Sequence, residues 1–470
     1  MRIAFVMSHI GAFRHFGEII RRLCKDGHTV KVVFGQQDNP GYSNAALIEF
    51  MEEMQGFSCE HAAVRRDLPW RLLSKSRELI NFGNYFRPGH PSSGLAARWK
   101  KMFSPRIWKV ISSQCVSKLL GGRMMRKTLG LVERVVRPDQ AILRWLEEYK
   151  PDVLVASPFI TALSREIDYV KAAKGLEIPT VVVVMSWDNL TTKGTFHDFP
   201  NLTLVWNQPL VEEAVELHDV PRESIIITGA PTFDFWFDMK PSLDHISFCK
   251  QVGIDAKQPF ITYLCSSTSI TGDESVFVRS FTDALLESEE TKNITVLIRP
   301  HPLNASIWKG FHAENAMVWP EGGSLPDNPS AKLDYYNQLF YSTAVVGVNT
   351  SAMVEAAIVD RPCVTIISDR YKFTQAEMGH FRHLVTSDFL EIANGFADAM
   401  EILTAIIRGR DSKSDNRKRF VREFIRPRGM DQSSSEFDAR VIELAALRKS
   451  TAEIEYELMS REAPEAHAAT

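Results

Sequence analysis

The chain has no run of about 18 apolar residues, so no stretch of it reads as a membrane-spanning helix. Met1 to Met7 is apolar but short, and Ser8, His9, Arg14 and His15 follow at once. It is too brief for the core of a signal peptide and reads as a first buried strand. Cysteine is sparse: the six residues Cys24, Cys59, Cys115, Cys249, Cys265 and Cys363 are scattered, with no CxxC pair and no Cys/His cluster. That spacing argues against both a zinc site and a disulfide framework. A reducing, cytoplasmic setting is expected, with no metal and no cofactor. An excess of one charge is also missing. Net charge is −3 over 470 residues, so the molecule as a whole offers no field for nucleic acid. Low-complexity segments are lacking too.

What is present is an alternation of strands and helices. "RIAFVMS" (2–8) is a strand, and residues 14–26 form a helix with Phe16, Ile19, Ile20 and Leu23 at helical spacing. Gly27 ends that helix, and "HTVKVVFG" (28–35) is the next strand. Further short apolar runs occupy 151–157, 178–186, 202–207 and 224–229. A second series has strands at 259–267, 293–302, 344–351 and 361–368. Its helices are expected at 273–289, 334–343, 351–360 and 388–408. Strands alternating with helices imply parallel sheets covered on both faces. The expected fold is therefore α/β, with a first Rossmann-like domain over 1–234 and a second over 235–427. Gly229, Pro231 and Pro241 mark the linker. A Ser-capped helix starts near 433 in a C-terminal segment, 428–470.

One region breaks the alternation. Residues 65–137 hold 17 Lys and Arg against three acids, Asp67, Glu78 and Glu133, a local charge of +14. Trp70, Phe82, Tyr85, Phe86, Trp99, Phe103 and Trp108 are interleaved. A basic, aromatic, helical insertion suits an anionic or membrane surface, which would make the protein peripheral on the inner face of a membrane. The competing reading is a solvated helical hairpin whose aromatics pack on the first domain.

In open parallel sheets, ligands bind beyond the carboxyl ends of the strands, and two such domains face each other across a cleft. Five strand ends carry suitable chemistry. "VLIRPHPLN" (296–304) sets Arg299 and His301 between prolines. Arginine offers a rigid fork for phosphate oxygens, and His301 adds a donor that can also protonate a leaving oxygen. "VGVNTSAMVEAA" (346–357) opens a helix at Thr350 and Ser351, where unpaired N–H groups suit phosphate, with Glu355 one turn on for ribose hydroxyls. "CSSTSITGDE" (265–274) brings Ser266, Ser267 and Thr268. In the first domain, "SHIGAFRH" (8–15) offers His9 and His15 as bases and Gly11 for close approach. "SWDNLTTKG" (186–194) offers Asp188 as a third base, beside Trp187 and Asn189 as an acceptor region. Each has a bland alternative: a capped strand end, an ordinary helix cap, a flexible turn.

Taken together, these motifs resemble the GT-B glycosyltransferases, and among them bacterial CDP-glycerol glycerophosphotransferases and capsule-type transferases. "LVWNQPLVEEAVELHDVPRESIIITGAPTFD" (204–234) resembles their approach to the interdomain hinge, and "FIRPRGMDQSS" (424–434) resembles the end of their second domain. "IRPHP" is similar to their phosphate-binding motif, and 349–366 to their nucleotide-cradling helix start. The resemblance implies a GT-B fold with a C-terminal helix crossing back to the first domain. It implies a nucleotide-activated sugar or polyol phosphate as donor, and a glycan, glycolipid or other hydroxyl acceptor. It also implies phosphate contacts from Arg299, His301, Thr350 and Ser351, and a ribose contact from Glu355. Many GT-B enzymes carry a histidine where Ala12 falls here, so His9, His15 and Asp188 all stay open as the base. The rivals are a non-hydrolysing nucleotide-sugar 2-epimerase and a non-catalytic GT-B binding module.

Overall fold

The apolar runs become the central strands of two parallel sheets. The computed structural model describes the whole chain except residues 36–44, 64, 66, 162–163, 269, 325, 327, 376–377 and 463–470. The chain divides into two units, Met1–Asp234 with Phe424–Thr470, and Phe235–Glu423.

In the first unit the strands are β1 (Arg2–Met7), β2 (Thr29–Phe34), β3 (Phe57–His61), β4 (Val153–Ser157), β5 (Thr180–Val183), β6 (Leu202–Val205) and β7 (Ile225–Ile227). They lie in the order β3-β2-β1-β4-β5-β6-β7, every pair parallel. The helix Phe13–Lys25 buries Phe13, Phe16, Ile19, Ile20 and Leu23 against this sheet. Gly27, at φ 82°, takes the left-handed turn that ends it.

The C-terminal segment completes this unit. Helix Ser434–Ala446 is capped by Ser433 Oγ, which accepts the Glu436 N–H at 3.2 Å. It adds Phe437, Val441, Ile442 and Leu444 to the same core. Asp234 accepts the N–H groups of Ser434 (3.0 Å) and Ser435 (2.7 Å), and Arg426 reaches it at 3.2 Å. A Cβ at Gly229 would overlap Ser434 Oγ, so only glycine lets the two segments pass.

The basic insertion is helical, with helices Leu68–Asn84, Pro105–Ile111, Gln114–Gly121 and Arg123–Val135. Phe82, Tyr85, Trp99 and Phe103 are buried, so these aromatics pack inward. The acids are consumed internally. Arg77 grips both oxygens of Glu133 (2.8 and 2.9 Å) and also Asp168 (3.1 Å), tying two insertion helices to the helix Glu166–Gly175. Burial alone would raise the Glu133 carboxyl, but Arg77 holds it down at about 2. Glu133 is the single acid between Pro105 and Arg137. The outward side there is basic and apolar together: Arg106, Lys109, Lys118, Arg123, Lys127 and Arg134 beside Ile107, Val110, Leu119, Met124, Leu131 and Val135.

In the second unit the strands are β8 (Phe260–Leu264), β9 (Thr295–Arg299), β10 (Ala316–Val318), β11 (Ala344–Gly347), β12 (Cys363–Ile366) and β13 (Leu390–Ala393). Their order is β10-β9-β8-β11-β12-β13, again all parallel. The first six strands of the other sheet follow the same winding. Two expectations need correction. Residues 388–408 are not one helix: β13 occupies Leu390–Ala393, Gly395 breaks the chain at φ 110°, and the helix runs Phe396–Ile407. The helix expected at 334–343 begins earlier, at Pro329. Asn328 caps it through the Ala331 N–H at 2.9 Å, and Pro329 presets its first turn.

Candidate active site

In the second unit β8 lies between β9 and β11, and the strand order reverses between β8 and β11. Leu264 pairs with Arg299 on one side and Gly347 on the other. The segments 266–268, 299–301 and 349–351 therefore emerge side by side at the carboxyl edge, the place where open α/β sheets bind ligands.

His301 caps the short helix Pro302–Trp308. Its Nδ1 accepts the Leu303 N–H at 3.2 Å, which selects the tautomer with the proton on Nε2. Arg299 is 5% exposed, and its guanidinium lies 4.1 Å from the Tyr335 ring centroid. Nη1 donates to Gln338 Oε1 (2.9 Å) and to Asp334 (3.5 Å), and Nη2 to the Ser324 carbonyl (3.3 Å). Most of its fork thus holds helix Pro329–Tyr341. Tyr335 passes the chain on, donating its hydroxyl to Glu355 Oε2 at 2.7 Å. Arg299, Tyr335 and Glu355 form one relay.

Thr350 Oγ1 accepts the Ala352 N–H at 3.3 Å, and Ser351 is exposed before the helix Ala352–Ile358. Gln375 fixes the end of β11 by donating to the carbonyls of Val348 (3.1 Å) and Ile366 (2.9 Å). Ser266 is fully buried, and its hydroxyl has no partner among the described residues. Ser267 is half-buried and Thr268 exposed.

In the first unit, His9 follows β1 and Gly11 is buried in the turn Ile10–Ala12. Burial, then Arg14, lowers the His9 pKa below its ordinary 6.5. His15 meets Thr232 Oγ1 through Nδ1 (2.8 Å), and its Nε2 accepts from Arg14 Nε (3.2 Å). Burial pushes its imidazole down to about 3; Arg14 and His9 act in the same direction and Asp188 opposes them. His9 and Asp188, two of the candidate bases, thus lie close enough to His15 to shift its imidazole. Asp188 accepts the hydroxyls of Ser186 (2.6 Å) and Thr192 (2.9 Å), and Lys193 lies 3.8 Å away. Asn189 is buried and accepts the Ser186 N–H at 2.9 Å. Trp187 is buried against Phe424, ring to ring at 6.4 Å.

Sequence reasoning missed the residues that hold these groups: Tyr335 and Gln338 around Arg299, Glu274 against Ser266, and Asn304 beside His301. Glu274 sits in a stretch read for its hydroxyls, where an acid at a helix start looks ordinary.

Two parallel sheets with this winding are the GT-B fold. A putative UDP-N-acetylglucosamine 2-epimerase from Listeria monocytogenes is similar, with TM-score 0.56 and 9% identity over 96% of this chain and 98% of that one. The UDP-GlcNAc 2-epimerase from Neisseria meningitidis bound to UDP-GlcNAc gives 0.51 and 12%, over 98% and 100%. A glycosyltransferase from Rickettsia africae gives 0.51 and 10%, over 97% and 98%. No curated protein matches the chain. The family model for CDP-glycerol:poly(glycerophosphate) glycerophosphotransferase matches residues 196–442. The chain belongs to that family. The matched span contains every donor-side candidate, whereas His9, His15 and Asp188 precede it.

Proposed function

We propose that this protein transfers a polyol phosphate, or a sugar, from a nucleotide-activated donor to a hydroxyl acceptor in the synthesis of a surface glycan or glycolipid. The observation that carries this reading is the convergence of the 266, 301 and 350 segments at one switch point inside the matched family region. The Nε2–H of His301, the hydroxyls of Ser266, Ser267 and Thr268, and the turn at Thr350 and Ser351 meet the donor phosphates. Glu355, braced by Tyr335, meets the ribose. In glycerophosphoryl transfer the acceptor oxygen bonds to phosphorus as the P–O bond to the nucleoside monophosphate breaks. His9 takes the hydroxyl proton, and charge growing on the leaving phosphate is met by fixed donors.

Purified protein with CDP-glycerol and a short glycerophosphate oligomer should release CMP only when the oligomer is present. UDP-GlcNAc, offered alone, should stay unepimerised. Epimer formation without any acceptor would defeat the transferase reading.

The insertion extends the proposal to an anionic membrane surface, where the protein would be peripheral. No helix among the described residues is long and apolar enough to cross a membrane. Its exposed basic and aliphatic side chains instead suit the headgroup boundary. Binding to phosphatidylglycerol-containing vesicles should weaken with salt. It should also fall more than tenfold in Lys109→Ala/Lys118→Ala, at about 1 kcal/mol per basic residue. Equal sedimentation of both proteins with the vesicles would count against it.

A further inference from the structure

The segment after β8 is shaped by a residue that touches no expected ligand. Glu274 is fully buried at the start of helix Ser275–Glu287. Its Oε1 accepts the Ser266 N–H at 2.7 Å, and its Oε2 accepts the Tyr263 hydroxyl at 3.4 Å. The segment from Ser266 is thereby closed at its base by one carboxyl. Its far side is tethered by Asn304, also buried, whose Nδ2 donates to the Gly272 carbonyl. The Asn304 N–H in turn donates to the His301 carbonyl at 2.8 Å. Arg370 adds a bond to the Asp273 carbonyl at 2.9 Å. Two candidate phosphate segments, 266–268 and 301, are thus joined by one carboxamide and set by one carboxyl. Ser266 points the same way: its amide is spent on Glu274 while its buried hydroxyl has no partner among the described residues. A buried hydroxyl left unmatched costs free energy unless something accepts from it.

We infer that Glu274 is a positioning residue for donor binding: its carboxyl holds the Ser266 amide so that the Ser266 hydroxyl and the residues after it present to the donor diphosphate. The inference rests on the proposed transferase reading. Isolated buried carboxylates are costly, so the group works here as the neutral acid. Burial pushes its carboxyl up to about 8, against the pull of the Ser266 amide and Tyr263. Glutamine is therefore its close mimic: the amide oxygen still accepts from Ser266, and the amide N–H₂ takes the place of the acid O–H and donates to the Tyr263 hydroxyl oxygen.

The test compares Glu274→Ala, Glu274→Gln and Asn304→Ala in the full chain, with CDP binding by calorimetry and steady-state turnover of CDP-glycerol. Glu274→Ala should weaken CDP binding and raise the CDP-glycerol KM about tenfold or more, with kcat changed much less. Glu274→Gln should restore most of that loss, and Asn304→Ala should raise the same KM. Should Glu274→Ala fail to fold, the Gln and Asn304 variants decide. Wild-type protein that binds CDP and is matched by Glu274→Ala overturns the inference alone. So does a Gln variant as impaired as Ala, or a loss confined to kcat. Wild-type protein that binds neither CDP nor UDP overturns the functional reading and this inference with it.

Discussion

Replacing Arg299 with alanine is expected to cost the second unit about 3 kcal/mol of stability and to abolish measurable CDP binding. The reason is where the guanidinium spends its donors. Gln338 is fully buried, and its Oε1 loses the 2.9 Å bond from Arg299. Asp334 keeps Trp319 Nε1, at 3.0 and 3.2 Å, but loses its cation. The Tyr335 ring loses the charge stacked 4.1 Å from its centroid, and Tyr335 is what orients Glu355. Lysine keeps a charge but neither the fork nor the stacking plane, so Arg299→Lys should recover little. Urea unfolding and CDP calorimetry on both variants check this. If stability is unchanged and only the donor KM rises, Arg299 is a direct phosphate ligand and its packing contacts matter little.

Which parts of this arrangement were legible beforehand follows from the physics of each part. The central strands β1, β4, β5, β8, β9 and β11 are buried on both faces, so they appear as unbroken apolar runs. The edge strands β3, β10 and β13 carry little such signal. In "FSCEH" (57–61) and "AMV" (316–318) no residue is fully buried, and "LEIA" (390–393) alternates buried ends with a partly open middle. Strand-end residues were legible because the topology puts them at one edge whatever their partners are. Partners were not: Asp334 and Gln338 lie 35 and 39 residues from Arg299, and Thr232 lies 217 from His15. No local pattern encodes such pairings. The insertion was half legible. Its charge was plain, but only the fold shows that Glu133 is turned inward onto the buried Arg77 while Arg106, Lys109, Lys118, Arg123, Lys127 and Arg134 stay outside.

His9→Ala is expected to lower kcat at least a hundredfold with the fold intact, as loss of a general base does. The choice among the three candidate bases is geometric. His15 has both ring nitrogens engaged, by Thr232 and by Arg14, and with its pKa near 3 it is a poor proton acceptor. Asp188 has two hydroxyls on its carboxylate and Lys193 beside it, so those bonds must be surrendered before it can take a proton. His9 stands at the tip of β1, partly exposed. Burial and Arg14 lower its pKa below the ordinary 6.5, so the neutral, proton-accepting form persists to lower pH. The acid limb of kcat/KM in the wild type should therefore lie below pH 6.5, with activity lost as pH falls through it. That limb should vanish in His9→Ala and survive in Asp188→Asn, whose turnover should fall less. A limb that persists in the His9 variant and disappears with Asp188→Asn would assign the proton to Asp188. His9 would then act on the acceptor by orientation alone.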